Sequence, residues 1–164
     1  MNSKILIGAV VAAAVAGGAW YVLAPKGVPE ATGVAGSEAA APTDVLATNG
    51  LHWHVDLAVY VNGARQQVPS NIGVGAGYSG KPTYDARHGM AGMHTHDPDG
   101  EVHLEFAGRV TRDDTRLGTF FAIWGKSFAD YGSRVIMKVN GKETDAGENY
   151  AMQDGDKIIL SFFP

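Results

Sequence analysis

The residues best able to do chemistry in this chain are its histidines. Five of the six fall in three short clusters, His52-Trp53-His54, His94-Thr95-His96 and His103. On a strand, residues two apart point to the same face. His52, His54 and Asp56 then share a face, as do His94 and His96, and as do Glu101, His103 and Glu105. Between the second and third clusters lies Asp97-Pro98-Asp99-Gly100, a run of residues that fix or tolerate turn dihedrals, so the segment from Met93 to Glu105 predicts a β-hairpin. Two registers are open. If Asp97 to Gly100 form the loop, His94 lies opposite His103 and His96 opposite Glu101. If Asp99-Gly100 alone is the turn, His96 meets His103 and His94 meets Glu105. Either register gathers three imidazoles and at least one carboxylate on one face. Opposed Cβ atoms sit ~4.5–5.5 Å apart, a spacing at which imidazoles can share one metal through N–metal bonds of ~2.0–2.1 Å.

Ligand type narrows the metal. The chain has no cysteine, which excludes disulfides and thiolate ligands. Imidazole suits zinc, copper, nickel and iron, whereas thioether favours Cu(I). Met90 and Met93, in the run His88-Gly89-Met90-Ala91-Gly92-Met93-His94, therefore tilt the expectation toward copper, with zinc second. His88 joins the candidate ligands. Asp56, Glu101 and Glu105 are candidates to orient imidazole N–H groups or to ligate directly. A surface cluster without a metal would crowd imidazoles that repel one another once protonated, below ~6.5. A calcium loop at Asp97 to Glu101 lacks the EF-hand pattern.

The elements that must position these residues follow from the rest of the chain. Ile5 to Ala24 is free of charge and long enough to cross ~30 Å of hydrocarbon as a helix. An uncleaved signal-anchor over residues 1–24 is the favoured expectation. A cleaved signal peptide competes with it, but Pro25 would stand just after the cut. The long C-terminal part is then expected outside the cytoplasm. Residues 25–49 are mainly Ala, Gly, Pro, Ser and Thr, and predict a flexible tether. Residues 50–164 are expected to form the extracytoplasmic metal-binding domain. The net charge of −4, with Lys and Arg scattered, argues against nucleic acid as a partner.

Within that domain, Leu51 to Val61 alternates as a strand with Trp53, Val55, Leu57, Val59 and Val61 toward the core. Asn62-Gly63 is a hairpin turn, and Ala64 to Val68 the return arm. Ser70 to Gly92, broken by glycines, predicts a long functional loop with a short strand near Ile72. Leu117, Phe120, Phe121 and Trp124 form one helical stripe, with Thr115 or Asp114 as the expected cap and Gly125 as the stop. Val135 to Val139, the turn Asn140-Gly141, and Lys157 to Phe162 complete a mainly antiparallel α+β domain with one short helix.

The C-terminal segment Val139-Asn140-Gly141-Lys142, Glu148-Asn149-Tyr150 and Gln153-Asp154-Gly155-Asp156-Lys157-Ile158 resembles the end of β-grasp domains, where such a turn leads into the last strand. The wider pattern of HxH strand, HTHD hairpin, LGxFFxxWG helix and DGDKI strand resembles uncharacterised membrane-anchored prokaryotic His-rich proteins. That resemblance implies a fold and no activity. His94-Thr95-His96, Glu101 and Gly108 also resemble the first metal motif of cupins, which implies a metalloenzyme. The second cupin motif is absent, since no histidine follows His103.

These observations lead to one expectation and two alternatives. The expectation is a membrane-tethered metal-binding protein for capture, storage or delivery of copper or zinc. Its partners would be the metal ion, the membrane, and a membrane metalloprotein or a second copy of the chain. The alternatives are a metalloenzyme with a cupin-like or open three-His site, and a metal-independent interaction module presenting Trp53, Trp124 and Tyr78.

Overall fold

A computed structural model describes residues 44–164. The expected membrane span and most of the expected tether lie outside these residues. No helix among the described residues is long and apolar enough to cross a membrane. In chain order the strands are β1 (Val45–Ala47), β2 (Leu51–Val61), β3 (Ala64–Gln66), β4 (Tyr84–Asp85), β5 (Met90–Ala91), β6 (Met93–His94), β7 (Glu101–Phe106) and β8 (Val110–Thr111). The helix α1 (Leu117–Trp124) follows, and then β9 (Arg134–Val139), β10 (Lys142–Thr144) and β11 (Lys157–Phe163). This is a small α+β domain, mainly antiparallel, with one α-helix among the described residues.

The principal sheet has the order β10-β9-β11-β2-β7-β6, with β3 also paired to β2. Strand β2 is its spine. Its first half pairs antiparallel with β7, its last residues pair antiparallel with β3, and its other edge runs parallel to β11 from Asp56 opposite Lys157 to Val61 opposite Phe162. Period-2 alternation decides which face is buried. Val55, Leu57 and Val59 of β2 join Val102 and Leu104 of β7 and Ile158, Leu160 and Phe162 of β11 in one core. Helix α1 adds Leu117, Phe120, Phe121 and Ile123 to it. Trp53, Trp124 and Tyr78 pack partly buried against the same cluster.

The two Asn-Gly turns form as expected. Asn62 and Gly63 have φ of 50° and 79°, and Asn140 and Gly141 have 52° and 82°, the left-handed pair whose twist matches a two-residue hairpin. Behind the second turn, buried Asp156 accepts hydrogen bonds from Asn140 Nδ2, Tyr150 Oη and the Gln153 N–H, each 2.8 Å. Burial, together with that bond to Asp156, pushes the Tyr150 phenol up to about 12.

Three local expectations are corrected. Helix α1 does not take its cap from Thr115 or Asp114: Arg116 stands at its N-cap with no side-chain bond. The Asp114 carboxylate instead accepts the Thr111 N–H at 2.8 Å and hydroxyl at 2.7 Å, and the Thr115 hydroxyl donates to the Arg112 carbonyl. The other end is as expected, with Gly125 at φ 78° closing the helix on Phe121 and Ala122 carbonyls. Residues 45–47, assigned to the tether, form β1, which pairs with β8 through Val45 opposite Thr111 and Ala47 opposite Val110. A strand this short has no alternation to detect. The 70–92 segment is not one structureless loop either. Ile72 is buried outside any strand, while β4 and β5 pair as Tyr84 opposite Ala91 and Asp85 opposite Met90.

The turn between β6 and β7 is fastened to β2 at Gly100, whose carbonyl accepts the Leu57 N–H at 2.8 Å. Gly100 has φ +100°, and a Cβ there would lie 2.3 Å from the Leu57 carbonyl oxygen. Gly100→Ala is expected to lose on the order of 1–3 kcal/mol of stability. Chemical denaturation checks this, and a change within experimental error would show that the turn is not anchored here.

Candidate metal centre

Strand register assembles the site. His94 of β6 lies opposite His103 of β7, and His103 lies opposite His54 of β2, so three imidazoles form a row across three neighbouring strands. This is the register in which Asp97 to Gly100 form the loop. Alternation adds His52 opposite Glu105 and Asp56 opposite Glu101 on the same face. His96 lies just past the end of β6, and its ring still reaches the cluster, with centroids 4.8 Å from those of both His94 and His103.

Two triplets have ligand atoms that all lie within 4.8 Å of one another: His94, His96 and His103, and His52, His54 and His103. His103 belongs to both. The first triplet is the more enclosed, because His94 is fully buried. The segment before β4 folds over it, as the Asn71 N–H donates to the Thr95 carbonyl and the Thr95 N–H to the Ile72 carbonyl. Between the two histidines, buried Thr95 donates its hydroxyl to the Pro69 carbonyl at 2.7 Å and accepts the Ile72 N–H at 3.1 Å. Gly73 is required there, since a Cβ would meet the Met93 carbonyl oxygen at 2.7 Å and His94 Cβ at 3.1 Å.

One hydrogen bond and one carboxylate contact favour particular tautomers. His94 Nδ1 lies 3.0 Å from the Ala91 carbonyl oxygen, which only accepts, so Nδ1 carries the proton. His103 Nε2 lies 3.1 Å from a Glu101 carboxylate oxygen, an ion-pair contact whose negative charge favours the proton on Nε2. The lone pairs are thus left on His94 Nε2 and His103 Nδ1. Both atoms are buried and have no hydrogen-bond partner. A buried nitrogen without a partner costs about 1–3 kcal/mol, a cost that one metal ion, or one water donating two hydrogen bonds, would remove for both atoms at once. Fixing one ring nitrogen on a carbonyl or carboxylate is how proteins orient metal-binding imidazoles.

Electrostatics favour the neutral, ligating form. Burial is the main cause holding both His94 and His103 below the usual imidazole value. The neighbouring His96 pushes both further down, while the Ala91 carbonyl for His94 and Glu101 for His103 pull partly back.

The remaining candidates separate. Glu105 is 3.1 Å from His52 Nε2. Asp56 stands beside Glu101 by register. Met93 turns to the opposite face, where it is fully buried in the core, so strand alternation removes its thioether from the histidines. His88 lies outside both triplets and pairs with Asp85 at 3.0 Å. With Met90, His52 and Glu105 it lines a cavity of about 780 Å³ beside the cluster.

Several atoms that position the histidines had no sequence signal. The Ala91 carbonyl is a backbone group. Asp154 accepts the His54 N–H at 3.0 Å from 100 residues away, and the Gly155 N–H donates to the His54 carbonyl at 2.8 Å. The turn before β11 therefore clamps the backbone of one histidine on both sides. The chain matches no protein-family model, no curated protein and no solved structure.

The lowered His94 and His103 values predict a pH dependence for the metal-free protein. The unfolded chain takes up these protons near pH ~6.5, whereas the folded chain resists until a lower pH. Between those points the folded state binds fewer protons, so stability falls as pH drops. Above the unfolded value both states are neutral at these groups and the full stability is present. Denaturant titrations across this range, made on chelator-treated protein, are expected to show that loss, and His94→Gln is expected to reduce it. An unchanged slope in the variant would refute the assignment to His94.

Proposed function

We propose that this protein binds one divalent transition metal at His94, His96 and His103, and serves in capture and delivery of that metal. The observation that carries the reading is the pair of buried, unpartnered lone pairs on His94 Nε2 and His103 Nδ1, each with its other ring nitrogen already fixed. Copper(II) is the first choice and zinc(II) the second. With Met93 in the core, the three donors are all imidazole. Such a set suits the oxidised ion, and copper(II) exceeds zinc(II) in affinity for nitrogen ligands. The pairing of β2 with a parallel β11 and with β3, next to β9 and β10, supports a β-grasp-like fold with β6 and β7 added at its edge. The apolar segment at residues 5–24 supports a membrane-tethered, extracytoplasmic site, which would serve a partner metalloprotein at the membrane surface.

The cavity beside His52 supports a second reading, an open three-His centre that activates water on zinc. Hydrolysis of an activated ester by the zinc-loaded chain, lost in His94→Ala, would move the assignment there.

The test is metal content followed by competition titration. The chain is expected to retain one copper(II) through dialysis and to bind it more tightly than zinc(II). His94→Ala is expected to abolish tight binding, and Glu101→Ala to weaken it roughly 10–100-fold by releasing the His103 ring. Met93→Leu, a volume-conserving core change, is expected to leave affinity unaltered. No retained metal would end this reading.

A further inference from the structure

The inner centre uses three of the five clustered histidines and leaves His52 and His54 unexplained. Their rings are not scattered. Centroids step from His52 to His54 at 4.9 Å, from His54 to His103 at 4.8 Å, and from His103 to His94 at 5.5 Å. Exposure falls along the same path: the His52 side chain is 62% exposed, that of His103 17%, and His94 is fully buried. The outer pair is also held in place. The Glu105 carboxylate lies 3.1 Å from His52 Nε2, which favours the proton there and leaves Nδ1 to coordinate, and Asp154 and Gly155 grip the backbone of His54. His52 in turn lines the cavity that also holds His88 and Met90.

From this geometry we propose that His52 and His54, with His103, form a second metal position, an outer station through which the ion enters and leaves the inner centre. The proposal rests on the inner triplet being a metal site. His103 is the ligand common to both positions. A neutral imidazole offers one lone pair, and Glu101 holds the proton on the other nitrogen of His103. His103 therefore serves one ion at a time, and the two positions are alternatives that exchange a shared ligand. An ion moving between them trades His52 and His54 for His94 and His96 without being released to water. Each incoming donor is already positioned, which speeds ligand exchange over attack by a ligand from solution. When the inner centre is full, His52 and His54 remain as a weaker two-histidine position for a second ion. The partner this arrangement fits is a donor or acceptor of the same metal that engages the exposed His52 end.

The full chain, mixed rapidly with buffered copper(II) and then with excess EDTA, tests this when compared with His52→Ala/His54→Ala. The double variant is expected to keep the equilibrium affinity for the first ion, to lose the second, weaker one, and to load and release copper at least about tenfold more slowly. Glu105→Gln, which leaves both histidines in place, is expected to slow exchange to a lesser degree and guards against misfolding of the double variant. Unchanged rates in both variants would overturn the outer station while leaving the inner centre standing. Collapse of first-ion affinity in the double variant would overturn it differently, by making all five histidines one site. Failure of the unaltered chain to bind copper at all would remove both proposals together.

Discussion

Everything in this domain hangs on β2 being hydrogen-bonded along both edges. A single eleven-residue strand is asked to meet β7, β3 and β11, and its alternation has to satisfy all of them at once. A slip of one residue would exchange its two faces, placing Val55, Leu57 and Val59 in water and His52, His54 and Asp56 in the core. The apolar face thus fixes the register, and the register places the imidazoles. In this domain the burial of aliphatic side chains is what sets the geometry of the polar cluster on the opposite face. Helix α1 contributes no candidate ligand, yet by filling the core with Leu117, Phe120, Phe121 and Ile123 it makes that register the stable one.

The polar face carries its own physical tension. Burial holds His94 and His103 toward the neutral form, and burying His94 removes bulk water as a partner for its Nε2. The chain answers on one side only: Ala91, Glu101 and Glu105 each hold one ring nitrogen. The opposite nitrogens of His94 and His103 are left with lone pairs in a dry setting. Such an arrangement leaves two acceptors that the proposed cation would satisfy together.

Much of this was visible in the residue order. Alternation gave β2 its two faces, Asn-Gly pairs gave both hairpins, and Gly125 gave the end of α1, because each of these is a local signal. The hairpin of His94 and His103 was visible but its register was not, since the Asp97 to Gly100 stretch is compatible with two loop lengths. The hydrogen bond from Leu57 to Gly100 is a tertiary contact that accompanies one of them. Met93 looked like a soft ligand because it adjoins His94, and strand alternation sends it the other way. The short strands β1, β4 and β5 escaped notice because two or three residues carry no period. The grip of Asp154 on His54 escaped for a different reason: nothing local links residues 100 apart.

The parallel partnership of β2 with β11 has a consequence for how the molecule comes into being. Parallel neighbours need a long crossover, and contacts of large sequence separation form late and slowly. A chain emerging from its N-terminus exposes His52, His54, His94, His96 and His103 well before residues 154–163 are available to pair with β2 and hold His54. During that interval the imidazoles are tethered neighbours without a fixed geometry. On the proposed reading, the fixed geometry that would discriminate between metals is completed only when β11 docks. An ion met by the nascent segment would then be one that the finished sheet either accepts or expels.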